Sequence, residues 1–335
     1  MTNIIKQKCT MLLLLISLIG SSKLWAQQDK MFSQYMFNMM ALNPAYAGSR
    51  DVLSATALYR NQWGGMPGAP QTATFTIDMP VNREKVGLGL QLFNDQVGLE
   101  NWTGAMLSYA FRIKMGERST LALGLQGGAM NFRWDLAKAN LGNNLSDPAF
   151  ASNVSKILPN FGTGIYLSND RSYIGVSVPY LIENNLSDYD SGEQRAKIRR
   201  HFYATAGFVV GRNNVKLKPS MMARYVNGAG LSLDGNVNVW FNDRIALGMS
   251  YRHNRFTTYA GQIQEDKEGN ALKGDALVGM IEIQLSDQFR LGYSYDWTRN
   301  RLNQERKFLS IPTHEIMLRY EFGFSKSKIL TPRYF

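Results

Sequence analysis

From Thr103 to Lys114 apolar and polar side chains take turns. Ala105, Leu107, Tyr109, Phe111 and Ile113 share one face, and Gly104, Met106, Ser108, Ala110, Arg112 and Lys114 share the other. A period of two marks a strand whose faces meet different surroundings. Leu231–Phe241 sets Leu231, Leu233, Val237, Val239 and Phe241 against Ser232, Asp234, Asn236, Asn238 and Trp240. Phe289–Thr298 sets Phe289, Leu291, Tyr293, Tyr295 and Trp297 against Arg290, Gly292, Ser294, Asp296 and Thr298. An ordinary sandwich also alternates, but here the second face is rich in Gly, Ser, Asn and charge.

The whole chain read this way predicts fourteen strands. They are Val52–Arg60, Gln71–Met79, Val86–Phe93, Trp102–Lys114, Thr120–Arg133, Pro159–Ser168, Ser172–Val178, Arg200–Val210, Val215–Tyr225, Leu231–Phe241, Ile245–His253, Ala276–Leu285, Phe289–Thr298 and Thr313–Phe322. Every second connection is a tight turn of hairpin-forming residues, at Asn82, Gly116, Asn169, Gly211, Asn242 and Ser286. Most of the others are long, near 61–70, 134–158, 179–199, 254–275 and 299–312; only the stretches from Asn94 and Val226 are short.

Short turns on one side and long loops on the other predict an all-β, transmembrane outer-membrane barrel with both chain ends on the short-turn, periplasmic side. Lipid cannot hydrogen-bond a free backbone group, and each one costs several kcal/mol, so the sheet must close on itself. Pro219 lacks a ladder donor and predicts a bulge, a strand end or a local irregularity. Trp63, Trp102, Trp134 and Trp297 fall at long-loop strand ends and Trp240 at a short-turn end, which reads as an outer aromatic girdle.

The first 26 residues follow a different pattern. Lys6 and Lys8 precede the apolar run Met11–Ile19, and Leu24-Trp25-Ala26 ends in a small residue. This predicts a secretory leader, 1–26, cleaved after Ala26. Cleavage would remove Cys9, the only cysteine, and with it any disulfide, thiolate metal site or cysteine nucleophile. It would also remove Lys6, Lys8 and Lys23 and no acid, leaving a chain still basic from an initial net charge of +11. The basic residues are scattered, which, with export, argues against nucleic acid.

Between leader and first strand lies "MFSQYMFNMMALNPAYAGSRD", crowded with Met, Phe and Tyr and broken at Asn43-Pro44. It is not period two and cannot be a membrane strand. Its apolar side chains need cover. It could fold up into the lumen as a plug, lie across the periplasmic mouth, or bind another protein. Capping of the barrel is the leading expectation, and it leaves room for a partner. The resulting division is 27–51 as an N-terminal periplasmic segment and possible plug or cap, 52–324 as barrel, and 325–335 as a periplasmic tail.

Enzyme chemistry finds little footing. His201, His253 and His314 lie on separate strands without metal-ligand spacing. Serines such as Ser250 and carboxylates such as Asp296 form no constellation, and Gln264–Asp275 lacks the spacing of a calcium loop. The glycines of "LALGLQGGAM" fit close packing against lumen contents rather than phosphate. No cofactor or metal is called for.

The N-terminal block, with "ALYRNQWGGMPGAPQTATFTID" after it, resembles the PorP/SprF family of the type IX secretion and gliding machinery. "NDQVG", "YIGVSVPYL", "GYSYDW" and "THEIMLRYEFG" carry the resemblance along the mature chain. It implies a non-enzymatic barrel of a Gram-negative outer membrane, in contact with its lipid. The implied partners are secretion-machinery proteins or secreted cargo with a C-terminal sorting domain. The residues singled out for plug or partner binding are Phe32, Tyr35, Asn43, Pro44, Tyr46 and Gly48. The alternative readings are a passive porin-like channel for small solutes and, behind it, a barrel hydrolase.

Overall fold

The computed structural model describes residues 32–138, 153–186, 197–212, 214–226, 230–255, 275–299 and 312–323. The expected leader, the tail 325–335 and the acidic stretch from Gln264 to Gly274 lie outside them. The strands are β1 Leu53–Asn61, β2 Gln71–Val81, β3 Val86–Val97, β4 Glu100–Met115, β5 Ser119–Trp134, β6 Val154–Ser168 and β7 Ser172–Val178. They continue with β8, in two pieces His201–Phe208 and Val210–Arg212, then β9 Val215–Val226, β10 Gly230–Phe241, β11 Ile245–Arg255, β12 Asp275–Gln284, β13 Phe289–Arg299 and β14 Thr313–Phe322. Each pairs antiparallel with its neighbours in chain order. The ring closes where β14 meets β1, from Leu53 opposite Phe322 to Asn61 opposite His314. Fourteen strands thus leave no open end to the sheet.

The alternation maps onto the two faces. Leu107, Leu125 and Phe161 point outward, 66%, 62% and 57% exposed, while Ser108, Gln126 and Asn160 beside them are buried. An apolar exterior over a polar interior suits a sheet set in hydrocarbon. Leu125→Arg should therefore cost about 2–4 kcal/mol of stability, as a basic side chain does near the bilayer midplane. Denaturant unfolding in lipid vesicles reads this; an unchanged midpoint would place that face outside the membrane.

Three details refine the expectation. First, β4, β5 and β6 are longer than their patterns predict, at 16, 16 and 15 residues. Asn94–Val97, read as a connection, continues the ladder opposite Glu100–Thr103. Gly98 at φ +58° makes the turn there. Val154–Leu158 extends β6 past Pro159, on a stretch where β7 no longer runs alongside, since it reaches only Thr163.

Second, of the three outcomes expected at Pro219 the structure has the local irregularity, and neither a bulge nor a strand end. Pro219 pairs with Val237 inside continuous β9. On its other side the ladder lapses between Ser220–Gly207 and Leu217–Val210 and resumes in the same register. A proline supplies no N–H at that point, and the Val209 N–H turns to the Arg171 carbonyl at 2.8 Å.

Third, the tryptophan girdle is corrected. Only Trp297 combines a strand end with an outward direction, 46% exposed. Trp102 and Trp134 share the parity of inward residues, and Trp102 packs 4.5 Å from the buried Phe132 ring. Trp63 lies in the β1–β2 connection, and Trp240 is buried inside, with the Lys218 ammonium 4.5 Å from its ring centroid. Beside Trp297, the outward aromatics toward the long-loop ends include Tyr59, Phe202, Tyr225 and Tyr251. A phenol serves an interface as an indole does, and at Trp102 an aromatic neighbour inside outweighs the interface.

Candidate functional site

The segment before β1 lies against the inward faces of the strands. Three short 3-10 turns shape it: Tyr35–Phe37, Met39–Ala41 and Pro44–Tyr46. The Asn43-Pro44 break now has a cause. The extended Asn43 accepts the Ala45 N–H on its Oδ1 at 3.0 Å, capping the third turn. Pro44 takes the first position, where a missing N–H costs nothing.

All six residues singled out in the sequence are buried here. Phe32, Tyr35 and Tyr46 join Met39, Met40 and Leu42 in one apolar cluster with Leu58, Tyr166, Tyr173, Tyr203 and Met222 of the wall. Each large side chain removed from water contributes roughly 1.5–3 kcal/mol. Tyr46 meets Tyr166 edge to face at 5.5 Å. Burial pushes the Tyr35 phenol well up, so it stays protonated and donates to Ser220 at 3.2 Å. The Asn43 carboxamide donates to the Ile165 carbonyl at 3.0 Å and, at 3.4 Å, to that of Val176 on the paired strand.

Backbone packs directly on backbone at the glycines. Gly48, at φ +73°, brings its position within 2.9 Å of the Gly87 Cα for any added Cβ, and its N–H reaches Asp78 at 2.8 Å. A Cβ at Gly124, in the stretch read as packing on lumen contents, would collide with Ala45 and Pro44.

The polar anchors are charged strand residues. Glu315 accepts two successive backbone amides, Ser33 at 2.9 Å and Gln34 at 2.7 Å. Arg60 bridges Glu315 at 3.0 Å and Asp296 at 2.8 Å, and also donates to the Ser33 hydroxyl at 2.8 Å. That hydroxyl in turn donates to Asp296 at 2.7 Å. Arg252 pairs with Asp234 at 2.7 Å and donates to the Phe32 carbonyl at 3.2 Å. Lower down, Arg319 donates to the Phe37 carbonyl, Asn38 exchanges hydrogen bonds with Thr74 and Thr76, and Arg50 pairs with Glu321. Burial works against the charge on Arg50, and Glu321 and Tyr46 outweigh it, holding the guanidinium charged. Buried charges are tolerable only when matched in this way.

Sequence reading placed Asp234 and Asp296 on the polar face but missed Arg60, Arg252, Glu315, Arg319 and Asp78 as anchors. The available signal was a full charge at an inward position between outward neighbours with large apolar surfaces, as in "LRY" around Arg319, between Leu318 and Tyr320. The three histidines do not assemble. His201 sits 2.9 Å from the Arg199 carbonyl, and His314 meets the Tyr293 hydroxyl at 2.8 Å.

The start of the β7–β8 connection, residues 179–186, also turns inward. Gln126 donates to the Pro179 carbonyl at 2.8 Å, and Asn160 holds both Ile182 N–H and carbonyl. Tyr180 packs with Phe93, Met106 and Met130, and Leu186 with Phe132 and Leu158.

A closed antiparallel sheet, apolar outside and polar within, defines a β-barrel of the Gram-negative outer membrane. Residues 24–320 match the family described as type IX secretion system membrane protein PorP/SprF. The chain belongs to that family. Among solved structures it is similar to a Pseudomonas aeruginosa FadL homologue, with 11% identity, 85% of this chain and 94% of that chain covered, and a TM-score of 0.49. It is also similar to the CymD monoaromatic hydrocarbon channel, at 8% identity, 89% and 95% coverage and a TM-score of 0.47. No curated protein matches it.

Proposed function

We propose that this barrel is a closed, non-enzymatic attachment component of type IX secretion, in which residues 32–50 plug the lumen and the outer loops or periplasmic face hold cargo or machinery proteins. The observation that carries the reading is the spread of the segment's bonds around the ring. Side chains of β2, β9, β11, β13 and β14 and backbone of β6 and β7 hold it. A pore for free solute flow has no use for a bonded, apolar filling. Family membership supports the secretion role, and the buried, bonded segment in the interior supports a binding one.

The test has two arms. Deleting the gene should leave one or more proteins with a C-terminal sorting domain off the cell surface, restored by the parent chain. The purified parent should pass no steady current in a planar bilayer. Normal display of all such proteins ends the secretion role; steady large currents from the parent make it a porin.

A further inference from the structure

The long connections mark one end of the barrel and the tight turns the other, so the height of each contact along the strands can be read from its residue number. Arg50 and Asp51 pair with Glu321 and Arg112, close to the tight-turn ends of β14 and β4. Gly48 bonds Asp78, near the tight-turn end of β2. Asn43 reaches Ile165 low on β6, and Asn38 reaches Thr74 and Thr76 midway along β2. Tyr35 bonds Ser220, midway along β9. Ser33 and Gln34 hold Glu315, the third residue of β14 from its long-loop end. Arg60, which binds Ser33, is the last but one residue of β1 at that same end. Phe32 meets Arg252, in the long-loop half of β11.

Going backward from β1, the chain therefore climbs the lumen step by step. From Leu53 to Arg60 the first strand runs about 23 Å along its own tilted length at roughly 3.3 Å per residue. The segment follows the wall over that stretch before it reaches Ser33. Its most heavily bonded point is the upper one, where Arg60, Glu315, Asp296 and Arg252 converge.

We infer that the chain before Phe32 leaves through the long-loop mouth, so that the mature N-terminus stands on the cell-surface side of the membrane. This departs from the expected periplasmic start of residues 27–51. With cleavage after Ala26, the residues Gln27 to Met31 precede Phe32. An outside partner can meet this end directly, and periplasmic machinery cannot.

Single-cysteine labelling tests this, because Cys9 is the chain's only thiol. In a Cys9→Ser background, Gln28→Cys is compared with Pro67→Cys in the long β1–β2 connection and Asp170→Cys in the tight β6–β7 turn. A membrane-impermeant maleimide is applied to intact and to permeabilised cells, with heat-modifiable gel mobility confirming a folded barrel. The expected result is that Q28C is modified in intact cells to the level of P67C, while D170C reacts only after permeabilisation. Modification of Q28C only after permeabilisation overturns the inference. So does a folded Q28C that reacts under neither condition, since its terminus then does not emerge.

Discussion

Glu315→Lys should open the barrel. The substitution removes the acceptor of two backbone amides and sets a cation beside Arg60, which lies 3.0 Å from the carboxylate. Breaking a buried charge pair by removing one partner costs about 3–5 kcal/mol. Here the loss falls on the segment more than on the ladder, because Glu315 keeps its backbone pairing with Arg60 and Ser294. The variant should keep the mobility of a folded barrel and yet pass steady current where the parent is silent. Glu315→Gln keeps the shape and one acceptor oxygen, and should leak less. A folded E315K that stays silent would show that the segment does not depend on this anchor.

Gly124→Leu should dislodge the middle of the segment. The new side chain would occupy the space of the Ala45 backbone and Pro44, and main chain cannot move aside as a flexible side chain can. Overpacking a filled interior costs typically 1–3 kcal/mol, and leucine in place of glycine favours the strand itself, so the conflict is resolved by displacing residues 43–47. Limited proteolysis of the purified variant should cut between Asn38 and Asp51 earlier than in the parent. Equal rates of cutting would mean that the close approach at Gly124 carries no weight.

The wall of this molecule was legible in the sequence because two solvents act on every strand. Lipid selects Leu107 and Leu125, and the interior selects Ser108 and Gln126, so a period of two survives along the chain. The ends of Thr313–Phe322 and Ser172–Val178 could be read to the residue. Where the reading slipped, a local cue competed with a neighbour it could not see. Asn94–Val97 reads as a turn because Asn94 and Asp95 are turn formers, yet the bend is confined to Gly98 and Leu99. Trp102 looked like an interface residue, but Phe132 on the next strand draws it inward.

The segment itself was legible as apolar surface in need of cover, and Asn43-Pro44 as a break. Its anchors were not, because Glu315 and Ser33 meet across 282 positions of sequence for the Ser33 amide. No periodicity reports such a pairing. Only the height and inward parity of Arg60, Asp296 and Glu315 together identify the cluster, and that needs the register of three strands at once.

The seam between β1 and β14 has a bearing on how the chain acquires its shape. Its two sides come from opposite ends of the sequence, and contacts so distant form slowly because a long loop must first be drawn shut. Glu315 lies on the strand that completes that seam, so Ser33 and Gln34 find their acceptor only once the last strand has arrived. The uppermost anchor of the N-terminal segment and the closure of the sheet thus depend on the same strand. A chain ending before Thr313 would lose the seam and the fastening together.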